Sequence, residues 1–378
     1  MHPTNPINPM NPMNILVTGC AGFIGWKVSE CLLREGHRVI GVDNLNDAYD
    51  LRLKEWRLAQ LEGHPNLSFH RLDITDREAL SGLFTTAHRS VTPDTQHPTP
   101  NTSSPITRAS TEASTVSSAE PLSRMSHQSP ITAVINLAAR AGVRPSVKNP
   151  WPYFQTNVIG TLNLLECCRN SGIRKFILAS TSSIYGEGER PFREDAPTDR
   201  PLSPYTASKK GAEALCYTYH HLYGLDVTIF RYFTVYGPAG RPDMSVFRFI
   251  KWIAEGEPLI LYGDGSQERD FTYVDDIARG TLLGLQSIGF EIINLGSDRP
   301  VKLRQIIKTI ERLLGREAVI QSRPGHPADV PATWADLSKA RRLLGWSPQT
   351  TWEEGLEHTV KWYLQNRQWA KAVEVKVE

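Results

Sequence analysis

The feature that most restricts how this chain can fold is a glycine turn set between an apolar run and an amphipathic one. Asn14 to Thr18 (NILVT) is a short β-like run that stops at glycine, Gly19-Cys-Ala-Gly22-Phe-Ile-Gly25 follows, and Phe23 to Arg34 then puts Ile24, Val28, Cys31 and Leu32 on one helical face. In a GxxGxxG spacing one glycine allows the tight turn, one lets a pyrophosphate approach the backbone, and one lets helix pack on strand. The helix N-terminus adds free N–H groups and the positive end of its dipole. Alone, such a turn serves equally well as a plain connection; its surroundings point to a dinucleotide. Asp43 ends a second β-like run, His37–Val42, 18 residues after Gly25. A carboxylate there accepts hydrogen bonds from the adenosine ribose and repels a 2′-phosphate, so NAD is expected over NADP. Arg52, Lys54 and Arg57 lie close enough in sequence to oppose that preference. Asp73 and Ile74, after a third run at Leu67–Leu72, are placed to meet the adenine.

The pattern continues with β-like runs at Ile131–Leu137 and Lys175–Ala179 and a helical stretch from Trp151 to Arg169 between them. Strands alternating with helices predict an α/β fold, a Rossmann-type doubly wound parallel sheet covered on both faces. After Tyr236 the rhythm shortens into glycine turns, followed by helices at Leu303–Leu314, Leu337–Leu344 and Trp352–Leu364, which predicts a smaller C-terminal substrate-binding lobe. In the last helix Leu356, Val360 and Tyr363 share a packing face, and the tryptophans read as lobe packing.

Two stretches fall outside this plan. Residues 1–13 (MHPTNPINPMNPM) lack the basic start and apolar centre of a signal peptide and read as a disordered leader, with Met13 a candidate alternative start. Residues 85–130 are roughly half Ser, Thr and Pro without an aromatic, too polar to offset chain entropy, and read as a disordered insertion after a helix at Asp76–Phe84. The expected organisation is the leader, an NAD-binding domain over 14–236 that takes back 270–297, and a substrate lobe from 237–269 and 298–368.

Composition narrows the partners. The 378 residues are 40% hydrophobic and 22% charged with a formal net charge of +2, so no global field draws nucleic acid or a membrane surface, and anionic ligands must be held by local groups. No run approaches the ~18 apolar residues that cross a bilayer. The five cysteines show no CxxC spacing and are odd in number, which predicts free thiols in a reducing cytoplasm and no metal site. His220-His221 lacks metal-ligand partners and Cys167-Cys168 sits on an apolar helix; both read as packing or surface.

The chemistry rests on Tyr205 and Lys209, a YxxxK pair. At i and i+4 they share a helical face. A tyrosine of pKa about 10 is a poor base at neutral pH, and an ammonium one turn away is expected to favour the phenolate. The stretch Ser180-Thr181-Ser182-Ser183-Ile-Tyr185-Gly186, at the end of a β-like run, can supply a hydroxyl partner.

With these motifs in view, the chain resembles the extended short-chain dehydrogenase/reductase family over nearly its whole length apart from the leader and the insertion. The resemblance rests on GxxGxxG, Ala138-Ala139 after the fourth strand, Asn157 in NVIGT, STSSIYG and SPYTASK. It implies a catalytic Thr181, Tyr205 and Lys209. It also implies a cofactor site that includes Gly19, Gly22, Phe23, Ile24, Gly25, Asp43, Asn44, Asp73, Ile74, Leu137, Ala138, Ala139, Asn157, Ser180, Tyr205, Lys209, which also holds the nicotinamide ribose, and Tyr232. Later segments, FTVYGP, Gly240-Arg-Pro-Asp-Met244, Gly263-Asp-Gly265 and Arg269-Asp-Phe-Thr-Tyr-Val-Asp-Asp276, are similar to UDP-glucuronate 4-epimerases. By that likeness Arg269 meets a pyrophosphate, Arg248 is a second nucleotide-side arginine, and Asp329 lies near a uridine ribose. The resemblance also implies a homodimer through the helices near 151–169 and 205–223.

The shared first step would move a C4 hydride to NAD and leave a 4-keto sugar. The residues after Thr181 then discriminate. Relatives that dehydrate carry Asp-Glu there, and relatives that decarboxylate carry Ser-Glu; this chain has Ser182 and Ser183, which do no carboxyl acid–base work. Epimerisation needs no further acid or base. A glucuronate intermediate is a β-keto acid that must keep its carboxylate, and Ser182, Ser183, Thr234, Arg144 and Arg241 are the candidates to hold it. The expected reaction is reversible C4 epimerisation of UDP-glucuronate to UDP-galacturonate with no net redox. The alternatives are an epimerase of a neutral UDP-hexose or UDP-N-acetylhexosamine, a UDP-glucuronate decarboxylase, and a non-catalytic NAD-binding regulator.

Overall fold

A computed structural model describes residues 11–89, 131–325 and 330–375. Most of the 1–13 leader, the bulk of the 85–130 insertion and Asp329 lie outside the described residues. The chain runs β1 (Asn14–Thr18), α1 (Phe23–Arg34), β2 (Arg38–Asp43), α2 (Leu51–Ala59), β3 (Leu67–Arg71), α3 (Arg77–Arg89), β4 (Ala133–Asn136), α4 (Val143–Lys148) and α5 (Trp151–Phe154). A π-helical turn over Gln155–Ile159 leads into α6 (Gly160–Asn170), then β5 (Lys175–Thr181), a 3-10 turn at Ser182–Tyr185, α7 (Pro204–Tyr223), β6 (Asp226–Tyr232) and β7 (Thr234–Tyr236). There follow α8 (Ser245–Glu255), β8 (Leu259–Tyr262), β9 (Glu268–Tyr273), α9 (Val274–Leu283), β10 (Phe290–Leu295), β11 (Pro300–Lys302), α10 (Leu303–Leu314), β12 (Ile320–Arg323), α11 (Ser338–Leu344) and α12 (Trp352–Ala370).

Seven parallel strands form the main sheet in the order β10-β6-β5-β4-β1-β2-β3. This is the expected Rossmann fold. Its strands are apolar at successive positions because both faces are covered. Ile15, Val17 and Ile135 belong to the core on one side, with α1, while Leu16, Val134 and Phe176 belong to the core on the other, with α6 and α7. Strand order reverses between β1 and β4, the switch point where ligands of open α/β sheets bind. The smaller lobe carries two short sheets, β11-β9-β7 and β12-β8. The chain returns from it to the main sheet at β10, and α9 packs on α1.

Several expectations change in detail. Helix α3 continues five residues past Phe84, and α12 runs on past Leu364 to Ala370. Met13 is not loose: its amide donates to His37 Nδ1 (3.1 Å) and its carbonyl accepts from Arg38 (2.9 Å), so β1 is anchored from its first residue. Trp26, Trp56, Trp362 and Trp369 do pack together between α1, α2 and α12. Trp151, however, is 76% exposed, because α5 turns its indole outward. None of the described helices is long and apolar enough to cross a membrane.

The glycine turn is as tight as its spacing implies. Gly19 has φ +70°, and its amide reaches back to the Val42 carbonyl (2.7 Å). A Cβ on Gly25 would collide with the backbone carbonyl of Gly19, which cannot swing away like a flexible side chain. Gly25→Ala is therefore expected to destabilise the fold by about 1–3 kcal/mol, the usual scale of forced overpacking, read as a lower midpoint in urea denaturation.

Candidate functional site

Three connected cavities follow the switch point. The first, of ≈ 90 Å³, lies over β2 and β3 and is lined by Asp43, Asn44, Lys54, Asp73, Ile74 and Ala138 among others. The second, of ≈ 320 Å³, shares Gly19, Gly22, Tyr49, Leu137 and Ala139 with it and brings in Phe23, Ile24, Gly25, Ser180, Thr181, Ser182, Ser183, Tyr205, Lys209, Tyr232, Thr234 and Arg241. The third, of ≈ 240 Å³, shares Thr234 and Met244 with the second and reaches Arg144 on α4 and, in the smaller lobe, Arg248, Tyr262 and Arg269.

The first cavity and its rim suit a dinucleotide. Helix α1 begins at Gly22 with no side-chain cap, so its first amides point at the turn. The Asp43 carboxylate ends β2, accepts from the Leu45 amide (2.8 Å) and lies 3.4 Å from Lys54 Nζ. Of the cations near enough in sequence to favour a 2′-phosphate, Lys54 is thus neutralised by Asp43, Arg52 is paired to Asp50, and Arg57 turns inward. Asp73 is held well oriented: Asn44 Nδ2 donates to it (2.6 Å), as do the amide and hydroxyl of Thr75 (2.9 and 2.8 Å).

The second cavity holds the candidate chemistry, and α7 and β5 position it. Ser203 caps α7 by accepting from the Thr206 amide (3.2 Å), Pro204 opens the helix, and Gly224 closes it with φ 65°. Tyr205 stands on the first turn, edge-on to Tyr153 of α5. Thr181 ends β5, with its Oγ1 accepting from the Ser183 amide and donating to Ser183 Oγ (both 3.2 Å). Burial pushes the Tyr205 phenol up, while a hydrogen bond with Thr181 and the charge of Arg241 pull it down. The Lys209 ammonium, one turn on, donates to the Ala179 carbonyl (2.8 Å), and burial lowers its pKa to about 8 against the opposing pull of Glu213 and Cys216.

Three other predicted cofactor residues spend their polar groups on the protein. Asn157, in the π-helical turn, clamps the Arg140 backbone, accepting from its amide (2.9 Å) and donating to its carbonyl (3.0 Å), and also donates to Ser208 Oγ (2.8 Å). It lines none of the three cavities and orders their wall from behind. Ser180 Oγ donates to Glu213 Oε1 (2.6 Å), and the Tyr232 hydroxyl is bonded to Thr281 (2.8 Å), so both line the cavity with their remaining surfaces.

Arg144 and Arg241 part company. Arg241 faces the second cavity, held by a two-pronged ion pair with Asp243 (3.0 and 2.5 Å). Arg144 lies over the Tyr262 ring, 4.0 Å from its centroid, in the third cavity and away from Thr181. Its neighbours there are Arg248 and Arg269, and the acid lining that cavity, Asp243, is already committed to Arg241. Such a set suits an anion, and guanidinium forks suit phosphate oxygens. Among the described residues no group of His, Cys, Asp and Glu is arranged to hold a metal. Tyr49, Lys54, Val143 and Met244 line the cavities without having been singled out as site residues; their signal lies in the fold, since no local motif marks them.

The comparisons agree with this geometry. The model of the NAD dependent epimerase/dehydratase family matches residues 87–296, and that of GDP-mannose 4,6 dehydratase matches residues 16–94. A UDP-glucuronate 4-epimerase of Thermodesulfobacterium geofontis is 52% identical over 361 residues, covering 95% of this chain and 99% of that protein. UDP-glucuronic acid 4-epimerase from Bacillus cereus, solved in complex with UDP-glucuronic acid and NAD, is 36% identical with a TM-score of 0.78, covering 94% of this chain and all (100%) of that one. UDP-glucose 4-epimerase from Thermotoga maritima, solved with UDP-glucose, is 31% identical with a TM-score of 0.76 and covers 94% of this chain and 100% of that one.

Beneath the site, Glu213 receives Arg231 through two bonds (3.0 and 2.9 Å), and the two side chains are 3% and 2% exposed. Glu213→Gln leaves Arg231 buried without its counter-charge. A loss of about 3–5 kcal/mol is expected, measured as a shift of the urea midpoint.

Proposed function

The chain belongs to the NAD-dependent epimerase/dehydratase family, and from that premise we infer that it is a UDP-glucuronate 4-epimerase with NAD as its cofactor, interconverting UDP-glucuronate and UDP-galacturonate. The observation that carries this reading is the 52% identity to a UDP-glucuronate 4-epimerase along 95% of the chain. The residues after Thr181 support it: Ser182 and Ser183 offer hydroxyls at the positions where dehydration or decarboxylation would need a carboxyl group.

Each ligand segment has a place. Asp43 and Asp73 take the adenosine end of the cofactor, and the Gly19–Gly25 turn with the α1 N-terminus takes its pyrophosphate. Arg248 and Arg269, with Arg144, take the UDP pyrophosphate in the third cavity. The sugar then lies in the second cavity beside Thr181 and Tyr205. Tyr205, as phenolate, removes the proton from the sugar 4-hydroxyl, and Thr181 donates a hydrogen bond to the same oxygen. NAD bound there would supply the hydride acceptor for C4 and the donor for its return. After the keto sugar has turned its other face, Tyr205 gives the proton back to the oxygen. Lys209 fixes the end of β5 through Ala179 and supplies a cation to the ribose side. Ser182, Ser183, Thr234 and Arg241 surround the sugar carboxylate, which must stay ionised and solvated so that the β-keto acid keeps its CO2.

The test is NMR of UDP-glucuronate with purified protein and no added NAD. UDP-galacturonate is expected, with no UDP-xylose. UDP-xylose would make the chain a decarboxylase, and turnover of UDP-glucose or UDP-N-acetylglucosamine alone would make it a neutral-sugar epimerase. Tyr205→Phe should lower kcat by about 10²–10⁴-fold, the usual contribution of a general acid–base group; full function of that variant would favour a non-catalytic regulator.

The assembly proposed is a homodimer in which α5–α6 and α7 of each subunit pack together. The support is a set of apolar side chains left in water on those elements, Trp151 (76%), Phe154 (41%) and Ile159 (40%) with Leu222 (59%) and Tyr223 (48%). The cysteines, all free thiols and mostly buried, fit a cytoplasmic enzyme. Light scattering should give a dimer mass, and Trp151→Glu should shift it to the monomer; a monomer in the parent protein would remove this part of the reading.

A further inference from the structure

Arg57 lies on α2, outside every group the reaction uses, and is 0% exposed. All five of its hydrogen bonds end on neutral oxygens: Nε and Nη2 on the Ala239 carbonyl (3.0 and 2.7 Å), Nη2 also on Gly240 (3.4 Å), Nη1 on the Tyr49 hydroxyl (2.7 Å) and on Ala21 (3.3 Å). Its charge centre sits 5.7 Å from the Phe23 ring centroid and 5.4 Å from that of Tyr49. Burying a guanidinium on neutral partners is costly, and an apolar side chain would fill the same space more cheaply.

The partners say what the charge is for. Ala21 belongs to the turn that receives the cofactor pyrophosphate. Tyr49 walls both the adenosine cavity and the catalytic cavity. Ala239 and Gly240 immediately precede Arg241 and Asp243, the ion pair that faces Tyr205's cavity. Ala239 itself has φ +52°, a left-handed conformation that costs an L-residue and persists only where its surroundings fix it. The surroundings here are two prongs of the Arg57 fork on its carbonyl. A planar fork of donors can hold three segments in one register, which a lysine's single ammonium cannot.

We propose that Arg57 is a positioning residue for both ligands, tying the cofactor turn, the Tyr49 wall and the sugar-side Ala239–Gly240 turn into one unit. The proposal rests on the reading of the cavities as NAD and UDP-sugar sites. It makes cofactor retention and sugar affinity depend on one side chain that touches neither ligand.

Arg57→Lys, Arg57→Met and Tyr49→Phe test it. NAD carried through gel filtration is counted per subunit, KM and kcat are measured with NAD supplied in excess, and Tm is taken on the NAD-saturated proteins. Both Arg57 variants should lose most of their carried NAD and raise KM roughly tenfold, the scale of one or two lost hydrogen bonds, with a smaller change in kcat. Lysine should not rescue. Tyr49→Phe should reduce carried NAD more than it raises KM. A lower Tm with NAD retention and KM both as in the parent would make Arg57 a strut and overturn the proposal, as would full rescue by lysine. If the Arg57 variants fail to fold, undiminished NAD retention in Tyr49→Phe overturns it. NAD retention is read without substrate, so a wrong sugar assignment would show separately, as inactivity of the parent protein on UDP-glucuronate.

Discussion

Two contacts one helical turn apart set α7 on the end of β5. Lys209 reaches the Ala179 carbonyl, and Glu213 receives the Ser180 hydroxyl, so consecutive strand residues are tied to i and i+4 of one helix face. Arg231 on the neighbouring strand β6 grips the same Glu213 carboxylate through two bonds. Thr181 follows Ser180 in the strand, and Tyr205 lies one turn before Lys209 in the helix. The distance between the hydroxyl and the phenol is therefore fixed by a buried network that neither residue belongs to. Fixed geometry is what proton transfer at a sugar hydroxyl requires, since a small displacement of the base costs rate steeply. Burial raises the Tyr205 pKa, so its ionisation depends on its neighbours, first Thr181, at the strand end this network holds, and second Arg241, which Asp243 holds.

Charge changes sign along the crevice. At the adenosine end Asp43 and Lys54 cancel, leaving carboxylate oxygens to meet ribose hydroxyls. The middle offers hydroxyls from Thr181, Ser182, Ser183 and Tyr205 beside Lys209 and the Asp243-paired Arg241, and the far end offers further guanidinium groups. A chain of formal net charge +2 thus holds polyanionic ligands through local placement rather than overall field. Asp243 keeps Arg241 from joining the phosphate-side set: its carboxyl is raised by burial but driven down further by Arg241, so the pair stays ionised on both sides.

The sequence was most legible where one contiguous stretch does one job. The strand, glycine turn and helix over 14–34 lie in the structure as the pattern implies, because turn, dipole and packing constraints all fall within a few residues. Tyr205 and Lys209 were legible as a pair on one helix face, but the bond from Lys209 to a backbone carbonyl 30 residues away was not, because no side-chain pattern encodes it. Asn157 was visible as a motif, yet its amide serves the Arg140 backbone and Ser208, a use set by the π-helical turn. Arg57 drew notice only as a charge near Asp43, and its bonds to Ala239 span 182 positions. Arg144 was assigned to the carboxylate because it is an arginine in the right neighbourhood of the chain; the fold lays it on Tyr262 instead.

In the proposed reaction the same 4-keto sugar stands at the head of three different outcomes, and the protein selects among them by what it withholds. Dehydration needs a carboxyl group to move a second proton, and Ser182 and Ser183 cannot provide one at neutral pH. Decarboxylation needs the carboxylate to lose its solvation and align its C–C bond with the carbonyl. Hydroxyl donors and a cation around the carboxylate favour its charged, solvated form and so oppose that loss. Arg241 suits this role only because Asp243 fixes it: a free guanidinium could follow the carboxylate as the sugar turns, whereas a tethered one meets it in a defined orientation. Rotation of the keto sugar must then be permitted while its carboxylate stays hydrogen-bonded, which short serine and threonine hydroxyls allow and a rigid fork alone would not.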